Sequence, residues 1–406
     1  MRGRSAGAIA DYRIGGRDPR YVARPASVEA VQGLLREISA AGDAVIVQGG
    51  RTSIVTGNPA ARYDVALDMT ALDAVIAHEP DDFTVTVQAG MRFDVLQASL
   101  AKHGQFLPLD PARASATTIG GVIARGRGGL RRGAFGGVRD WLIGSTAVLS
   151  DGRAVHGGGR VVKNVSGYDL PKLFAGSWGT LGCIVEASFK LRPLPAYDAT
   201  LRIPAPDFAT AVRIGSEVAQ GIAGLQAVIA LDAATATAAG LEGEAVLLIR
   251  SAGMAPVVAE TMAATRAVAR ASTATDSISD PALWERLADL TAPDAESVLV
   301  RLGLPPPAVG LMSEAASEAM PEASRMAVLD GGLLFLRANR VEATAVQALR
   351  ATATEQGGAL TVESGLPPGL DAWGEAGGLP IMRRVKAEFD PTGTMSPGRF
   401  VAGLEG

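Results

Sequence analysis

The chain of 406 residues carries 42 acidic against 38 basic side chains, a formal charge of −4, which argues against a nucleic-acid partner, since that calls for a basic excess. The length suits two or three domains, each with a sizeable core. A single cysteine, Cys183, excludes an intramolecular disulfide framework and a cysteine-built metal site, and points weakly to a reducing compartment. Met1 to Tyr12 holds Arg2 and Arg4 but no apolar run of signal-peptide length, and no stretch reaches the ~18 apolar residues of a spanning helix. The expectation is a soluble, cytoplasmic protein, or one peripheral at the inner membrane through partner subunits.

In chain order, Ser27 is placed to cap a helix whose apolar positions Val28, Val31, Leu34, Leu35 and Ile38 repeat at helical spacing. Ala44 to Val47 reads as a buried strand ending in Gly49-Gly50, and Thr84 to Val87 as a strand ended by Gly90. Phe93 to Lys102 reads as a helix with Val95, Leu96 and Leu100 on one side and Gly104 as its stop. Between 120 and 182 fall 17 of the 49 glycines, which predicts a loop-rich belt with short strands, among them Ala147 to Leu149 before the turn Ser150-Asp151-Gly152. Pro193, Pro195, Pro204 and Pro206 mark a domain boundary. Beyond it, helices at 207–220, 255–270 and 343–356 alternate with strands at 245–250 and 333–336, the pattern of an antiparallel sheet covered by helices on one face. Pro305-Pro306-Pro307 reads as a rigid loop. The segment 379–406 has its own signature, Phe389 to Phe400.

Four glycine-rich stretches stand out, at 48–53, 104–111, 118–140 and 160–182. The last, Arg160 to Gly182, is the most telling. Together they suggest a pocket in which a long phosphate-bearing cofactor lies against bare backbone. In Gln48-Gly49-Gly50-Arg51-Thr52-Ser53, successive backbone N–H groups after a strand can form an anion-binding nest, with Arg51, Thr52 and Ser53 adding donors. Alone, the stretch reads equally as an ordinary strand-to-loop turn. Neither Thr118 to Ala124 nor Gly136 to Asp140 fits the G-x-G-x-x-G pattern of a βαβ unit, and no G-x-x-x-x-G-K-[ST] is present, so Rossmann and P-loop sites are disfavoured.

In this order and spacing the four stretches resemble the PCMH-type FAD-binding domain of the vanillyl-alcohol oxidase family. Lys163 to Gly182, with Glu186, Lys190 and Leu191 to Pro195, is similar to the D-lactate dehydrogenase and glycolate oxidase branch, and within it the FAD-binding E subunit of three-subunit bacterial glycolate oxidases. The resemblance implies an α+β fold: a two-subdomain FAD-binding domain over 1–195, a smaller cap of antiparallel sheet plus helices over 196–378, and a segment 379–406 returning to the FAD domain. It implies that Gly49, Gly50, Arg51, Thr52 and Ser53 hold the FAD pyrophosphate. Pro108, Asp110 and Pro111 would pass the flavin. Thr118, Gly120, Gly121 and Ala124 would line its isoalloxazine and ribityl side, continued by Gly137, Arg139 and Asp140. Gly179, Gly182 and Ile184 would reach toward the adenine. Relatives that bind FAD covalently often carry histidine at or near Arg51, so the FAD here is expected to be non-covalent. Close relatives also carry Asn where Gly126 and Ser396 stand.

Oxidising a small 2-hydroxy acid needs a base near the hydroxyl and a cation for the carboxylate. Catalytic relatives keep a histidine motif in the second domain, whereas this chain has only His78, His103 and His156. His78 reads as a surface turn residue, His103 as a helix-end residue suited to the C-terminal dipole, and His156 as a turn residue. No pair has metal-ligand spacing, so no metal is expected. Nothing selects a catalytic base. Lys163, Tyr168 and Asp169 read as loop anchors as readily as catalysts. Arg337, Arg340, Arg383 and Arg384 are candidate cations, and Arg125, Arg127, Arg131 and Arg132 form a basic stretch that suits FAD phosphates, an acidic partner or plain solvent. The implied function is the FAD-binding subunit of a glycolate oxidase (glycolate dehydrogenase) complex, with a catalytic flavin subunit and an iron–sulfur subunit as partners. The alternatives are a self-sufficient 2-hydroxy acid dehydrogenase and a structural subunit without redox turnover. The intact glycine stretches favour cofactor binding, on the argument that a fold without FAD has no need of so much bare backbone.

Overall fold

The computed structural model describes residues 8–159, 169–242, 244–269, 276–280, 282–402 and 404. Arg160 to Tyr168 of the glycine signature, Lys163 and Tyr168 included, lie outside them. The chain forms two units, Met1–Arg127 with Gly137–Leu194 and Glu375–Gly406, and Gly128–Gly136 with Pro195–Gly374.

The first unit holds a parallel three-stranded sheet, with Val65–Asp68 between Tyr21–Ala23 and Val45–Gln48. It also holds a five-stranded antiparallel sheet in the order Val75–Glu79, Thr84–Gln88, Cys183–Lys190, Leu142–Val148, Ala154–Gly158. Helix Val28–Ala41 starts where Ser27 Oγ accepts the Ala30 N–H and stops at Gly42, which takes a φ of 69°. It buries Val31, Leu35 and Ile38 against Val45, Val65 and Leu67 and against Cys183 and Val185, so one core serves both sheets. In helix Phe93–Ala101 the buried positions are Phe93, Leu96 and Leu100. Val95, expected beside them, is 43% exposed: at 100° per residue it lies off the stripe that Phe93 completes.

The glycine belt is more helical than expected, with short helices at Ile119–Arg125, Arg132–Phe135, Val138–Trp141 and Leu170–Phe174. In the first, Thr118 Oγ1 accepts the Gly121 N–H, and Ile119, Val122 and Ile123 are buried. A cap and an apolar stripe outweigh the ~1 kcal/mol that each interior glycine costs a helix.

The second unit is one eight-stranded antiparallel sheet. Its helices lie on both faces, not one. Long helices Phe208–Gly221, Ala255–Val268, Val309–Ala319 and Ala343–Glu355 cover the face of Leu247, Ile249, Val300 and Leu334. The other face, with Ile229, Leu248 and Phe335, receives the short helices Ala233–Ala238 and Leu283–Asp289 and Leu130 of the segment 128–136. Strands apolar on both sides, such as Ala227–Leu231, require both covers. Pro306–Ala308 is a 3-10 turn leading into helix Val309–Ala319, not a loop, because proline is tolerated in a first helical turn.

The C-terminal segment closes the first unit. After helix Leu379–Phe389, the Val45 N–H donates to Thr394 O and the Ser396 N–H to Val45 O, both at 2.8 Å, adding a bridge to the edge of the parallel sheet. Lys386 anchors the turn between them. Its ammonium, 4% exposed as a residue, donates to Thr180 O at 2.9 Å, Asp390 Oδ2 at 2.7 Å and Met395 O at 2.9 Å. Burial alone would raise the Asp390 carboxyl. The Lys386 charge and hydrogen bond and the Met395 and Thr394 N–H groups outweigh it and hold the carboxyl below its ordinary range. Removing one partner strands a buried charge, so Lys386→Met is expected to cost about 3 kcal/mol or more in urea unfolding at pH 7. A lowered folded-state pKa stabilises above the unfolded value, about 4, and loses that contribution as pH falls through the folded value. The gap between wild type and Lys386→Met is therefore expected to narrow from pH 5 to pH 3.

Candidate cofactor site

The parallel strand Val45–Gln48 delivers the turn Gly49 to Ser53. Bare backbone is required there by the protein itself. A Cβ on Gly50 would lie 1.6 Å from Ala116 O, and one on Gly49 would lie 2.0 Å from Thr118 Oγ1. Arg51 follows in the left-handed region with a φ of 59°. The N–H groups of Arg51, Thr52 and Ser53 have no acceptor among the described residues. Consecutive unspent donors around a left-handed residue are the geometry of an anion nest, so this turn fits a pyrophosphate. Thr52 Oγ1 and Thr117 Oγ1 are 2.8 Å apart, and Thr117 Oγ1 donates to Ala112 O at 2.9 Å, which ties the turn to the end of the 108–112 loop.

Helix Ile119–Arg125 begins beside this turn, but its first donors are used by the protein. Ile119 N–H bonds Met91 O, Gly120 N–H bonds Ala89 O and Gly121 N–H bonds Thr118 Oγ1. Thr118, Gly120 and Gly121 thus have shape to offer a ligand rather than N–H groups. At the helix end, the Gly176 and Trp178 N–H groups donate to Ile123 O and Ala124 O. Gly126 has a φ of 67°, and a Cβ on it would sit 2.5 Å from Gly176 N and Cα. No asparagine side chain fits there without moving the 176 loop. Ser396 Oγ donates to Gly179 O at 3.2 Å, so its hydroxyl also serves the protein.

The structure therefore gathers Gly49 to Ser53, Thr118 to Ala124 and Gly179 around one end of the parallel sheet. Pro108 is buried, Asp110 and Pro111 are half-buried, and Gly137 opens the helix Val138–Trp141 with Asp140 Oδ2 accepting its N–H at 2.7 Å. Arg139 and Asp140 are exposed. Gly182 packs on Val148 O, and Ile184 is buried within strand Cys183–Lys190. The glycine density thus does not by itself argue for FAD: Gly49, Gly50 and Gly126 are fixed by protein packing.

A buried polar network under the turn was not legible in the sequence. Tyr12 Oη donates to Asp68 Oδ2 at 2.5 Å, Tyr63 Oη to Tyr12 O at 2.7 Å, and Gln48 Nε2 to Tyr63 Oη at 2.6 Å. Burial, then the Asp68 hydrogen bond and charge, raises the Tyr12 phenol, and burial raises Tyr63. Arg399, lowered by burial to about 10, donates to Ile54 O and Thr56 O at 2.6 Å each. Only the signature Phe389 to Phe400 hinted at the last of these.

The three histidines each contact another side chain of the protein. His78 stands in strand Val75–Glu79, not in a turn, half-buried, with Nε2 2.9 Å from Gln105 Oε1 and its ring 4.8 Å from that of His103. His156 is in strand Ala154–Gly158, with Nδ1 3.1 Å from Thr146 Oγ1. Asp169 pairs with Lys172 at 2.6 Å. Arg337 donates to Asp294, Ser297, Leu290 O and Ala292 O, the bonding of a structural staple. Arg125 and Arg127 belong to the first unit, and Arg131 and Arg132 to the second. Among the described residues no group of three or more His, Cys, Asp or Glu is arranged to hold a metal, and no helix is long and apolar enough to cross a membrane.

Residues 19–158 match the FAD binding domain family. The chain is 36% identical over 191 residues to a D-2-hydroxyglutarate dehydrogenase of Xanthomonas citri pv. viticola, covering 47% of this chain and 40% of that protein. It is 33% identical over 159 residues to the glycolate oxidase subunit GlcE of Escherichia coli, covering 39% and 45%. The match spans less than half of either relative. An alkyldihydroxyacetonephosphate synthase structure shares the fold, with a TM-score of 0.71 at 19% identity over 94% of this chain and 76% of that one. The chain therefore carries a PCMH-type FAD-binding domain, and FAD is its cofactor. Gly50→Ala is expected to force the turn off Ala116, lowering stability by about 2 kcal/mol or more and abolishing the flavin absorbance of the purified protein.

Proposed function

We propose that this chain is the FAD-binding subunit of a glycolate oxidase-type complex, oxidising a small 2-hydroxy acid together with a catalytic flavin subunit and an iron–sulfur subunit. The observation that carries the reading is a fitting FAD turn in a sequence whose last histidine is His156, ahead of the whole sheet of the second unit. Bound FAD supplies a hydride acceptor for oxidation of the hydroxyl carbon. The residues of this chain hold it: Gly49 to Ser53 take the pyrophosphate, Thr118 to Ala124 shape the wall beside it, and Gly179 closes the end near Val47. Removal of the hydroxyl proton falls to a partner's residue. The similarity to the GlcE subunit supports this reading, and the similarity to D-2-hydroxyglutarate dehydrogenase keeps the substrate class at 2-hydroxy acids.

Purified alone with FAD, the chain is expected to show a flavin spectrum that anaerobic glycolate, D-lactate or D-2-hydroxyglutarate does not bleach. Bleaching by any of them without partners would replace the subunit reading by the self-sufficient dehydrogenase. The flavin is non-covalent, so acid denaturation is expected to release all of it, leaving no flavin mass on the polypeptide.

A further inference from the structure

We propose that Tyr12 and Asp68 are positioning residues that lock the Arg51 guanidinium at the phosphate turn, making the segment ahead of the matched FAD domain a working part of the cofactor site. The inference rests on reading Gly49 to Ser53 as the pyrophosphate turn. The matched domain starts at residue 19, so Tyr12 lies outside it, in the short 3-10 helix Ile9–Tyr12.

The Arg51 guanidinium lies over the Tyr12 ring, 4.6 Å from its centroid. Its Nη1 is 3.9 Å from Asp68 Oδ2, the oxygen that accepts the Tyr12 hydroxyl at 2.5 Å. The other oxygen, Oδ1, accepts Thr70 N–H at 2.9 Å and Thr70 Oγ1 at 2.6 Å. Asp68 is thus a buried carboxylate fixed by three donors, with one face turned to Arg51. At 3.9 Å that pairing orients the guanidinium without saturating its donors, and the Arg51 side chain remains 36% exposed. The Tyr12 ring is steered in turn from the strand that delivers the turn, through Gln48, Tyr63 and the Tyr12 carbonyl. An arginine fork held by a ring below and a carboxylate beside it loses little rotamer freedom when a phosphate arrives. A non-glycine residue at φ 59° is itself costly and persists where its surroundings over-determine it.

The test is a double-mutant cycle on FAD affinity of the apoprotein, read by quenching of FAD fluorescence, with ADP as a competitor that carries the pyrophosphate without the flavin. Arg51→Gln is expected to weaken both ligands about tenfold or more, and Tyr12→Phe about fivefold. The double variant is expected to be no weaker than Arg51→Gln alone, because Tyr12 acts through Arg51. A merely structural Tyr12 would give additive losses, and that result, or wild-type affinity in Tyr12→Phe, overturns the proposal. Asp68→Asn runs the same cycle with the ring and fold-forming contacts of Tyr12 retained. If Arg51→Gln alone leaves FAD and ADP binding unchanged, the placement of the pyrophosphate at Gly49 to Ser53 fails as well. Additivity with a large Arg51 effect removes only the lock.

Discussion

The buried ammonium of Lys386 is the contact on which the geometry of the first unit turns. Its acceptors are Thr180 O, 206 residues earlier in the chain, and Asp390 Oδ2 and Met395 O, four and nine residues later. An ammonium in that position costs several kcal/mol of desolvation unless every proton finds a partner, and here all three do. The consequence is positional. Met395 is held so that Thr394 and Ser396 bond the edge of strand Val45–Gln48, and Thr180 is held so that Gly179 packs near Val47 and Ser396. The strand that delivers the turn Gly49 to Ser53 is therefore fixed on one side by the parallel sheet and on the other by the segment that follows helix Leu379–Phe389. A cofactor turn needs that stiffness, because preorganised N–H donors do not have to be ordered at the moment of binding.

The glycines show how packing and binding are divided within one turn. At Gly49 and Gly50 the absent Cβ admits the 116–118 segment, and at Gly126 it admits Gly176. The surface left for a ligand is then the outward N–H row at Arg51 to Ser53 and the arginine itself. The glycines bring the walls together, and the nest is what they enclose. This explains why the glycine count alone does not mark a cofactor pocket: these glycines answer to protein packing, and the donors of the nest belong to their neighbours.

Legibility followed the range of the interactions. Helices with a side-chain cap and a 3.6-residue stripe, such as those after Ser27 and Asp207, could be read directly, and so could strands bounded by glycine. The turn Gly49 to Ser53 was legible as a turn because two glycines after an apolar strand are a local pattern. Helix Ile119–Arg125 was hidden by composition: Gly120 and Gly121 lower propensity, and only burial of Ile119, Val122 and Ile123 restores it. The second cover of the large sheet was signalled only by strands without polar alternation, such as Ala227–Leu231, and the helices that supply it, Ala233–Ala238 and Leu283–Asp289, are too short to show a clear stripe. Tyr12, Asp68 and Arg51 carry no shared spacing, since a lock between distant segments leaves no period in the sequence.

The second unit bears on where the chemistry happens. A 2-hydroxy acid presents a carboxylate to be held and a hydroxyl proton to be removed. Arg337, the arginine of that sheet which the sequence offered for the first task, spends its fork on Asp294, Ser297 and two carbonyls. The Asp294 carboxyl, which burial alone would raise, is lowered by Ser297, Glu296 and Arg337 and stays charged. Releasing this arginine to a substrate would leave that charge without its partner, a cost that binding one small carboxylate does not recover. The second task needs a group that titrates near neutrality, and the three histidines of the chain all lie in the first unit. With Arg337 spent on structure and the histidines all in the first unit, neither task falls to a side chain that the sequence offered for it in the sheet of the second unit.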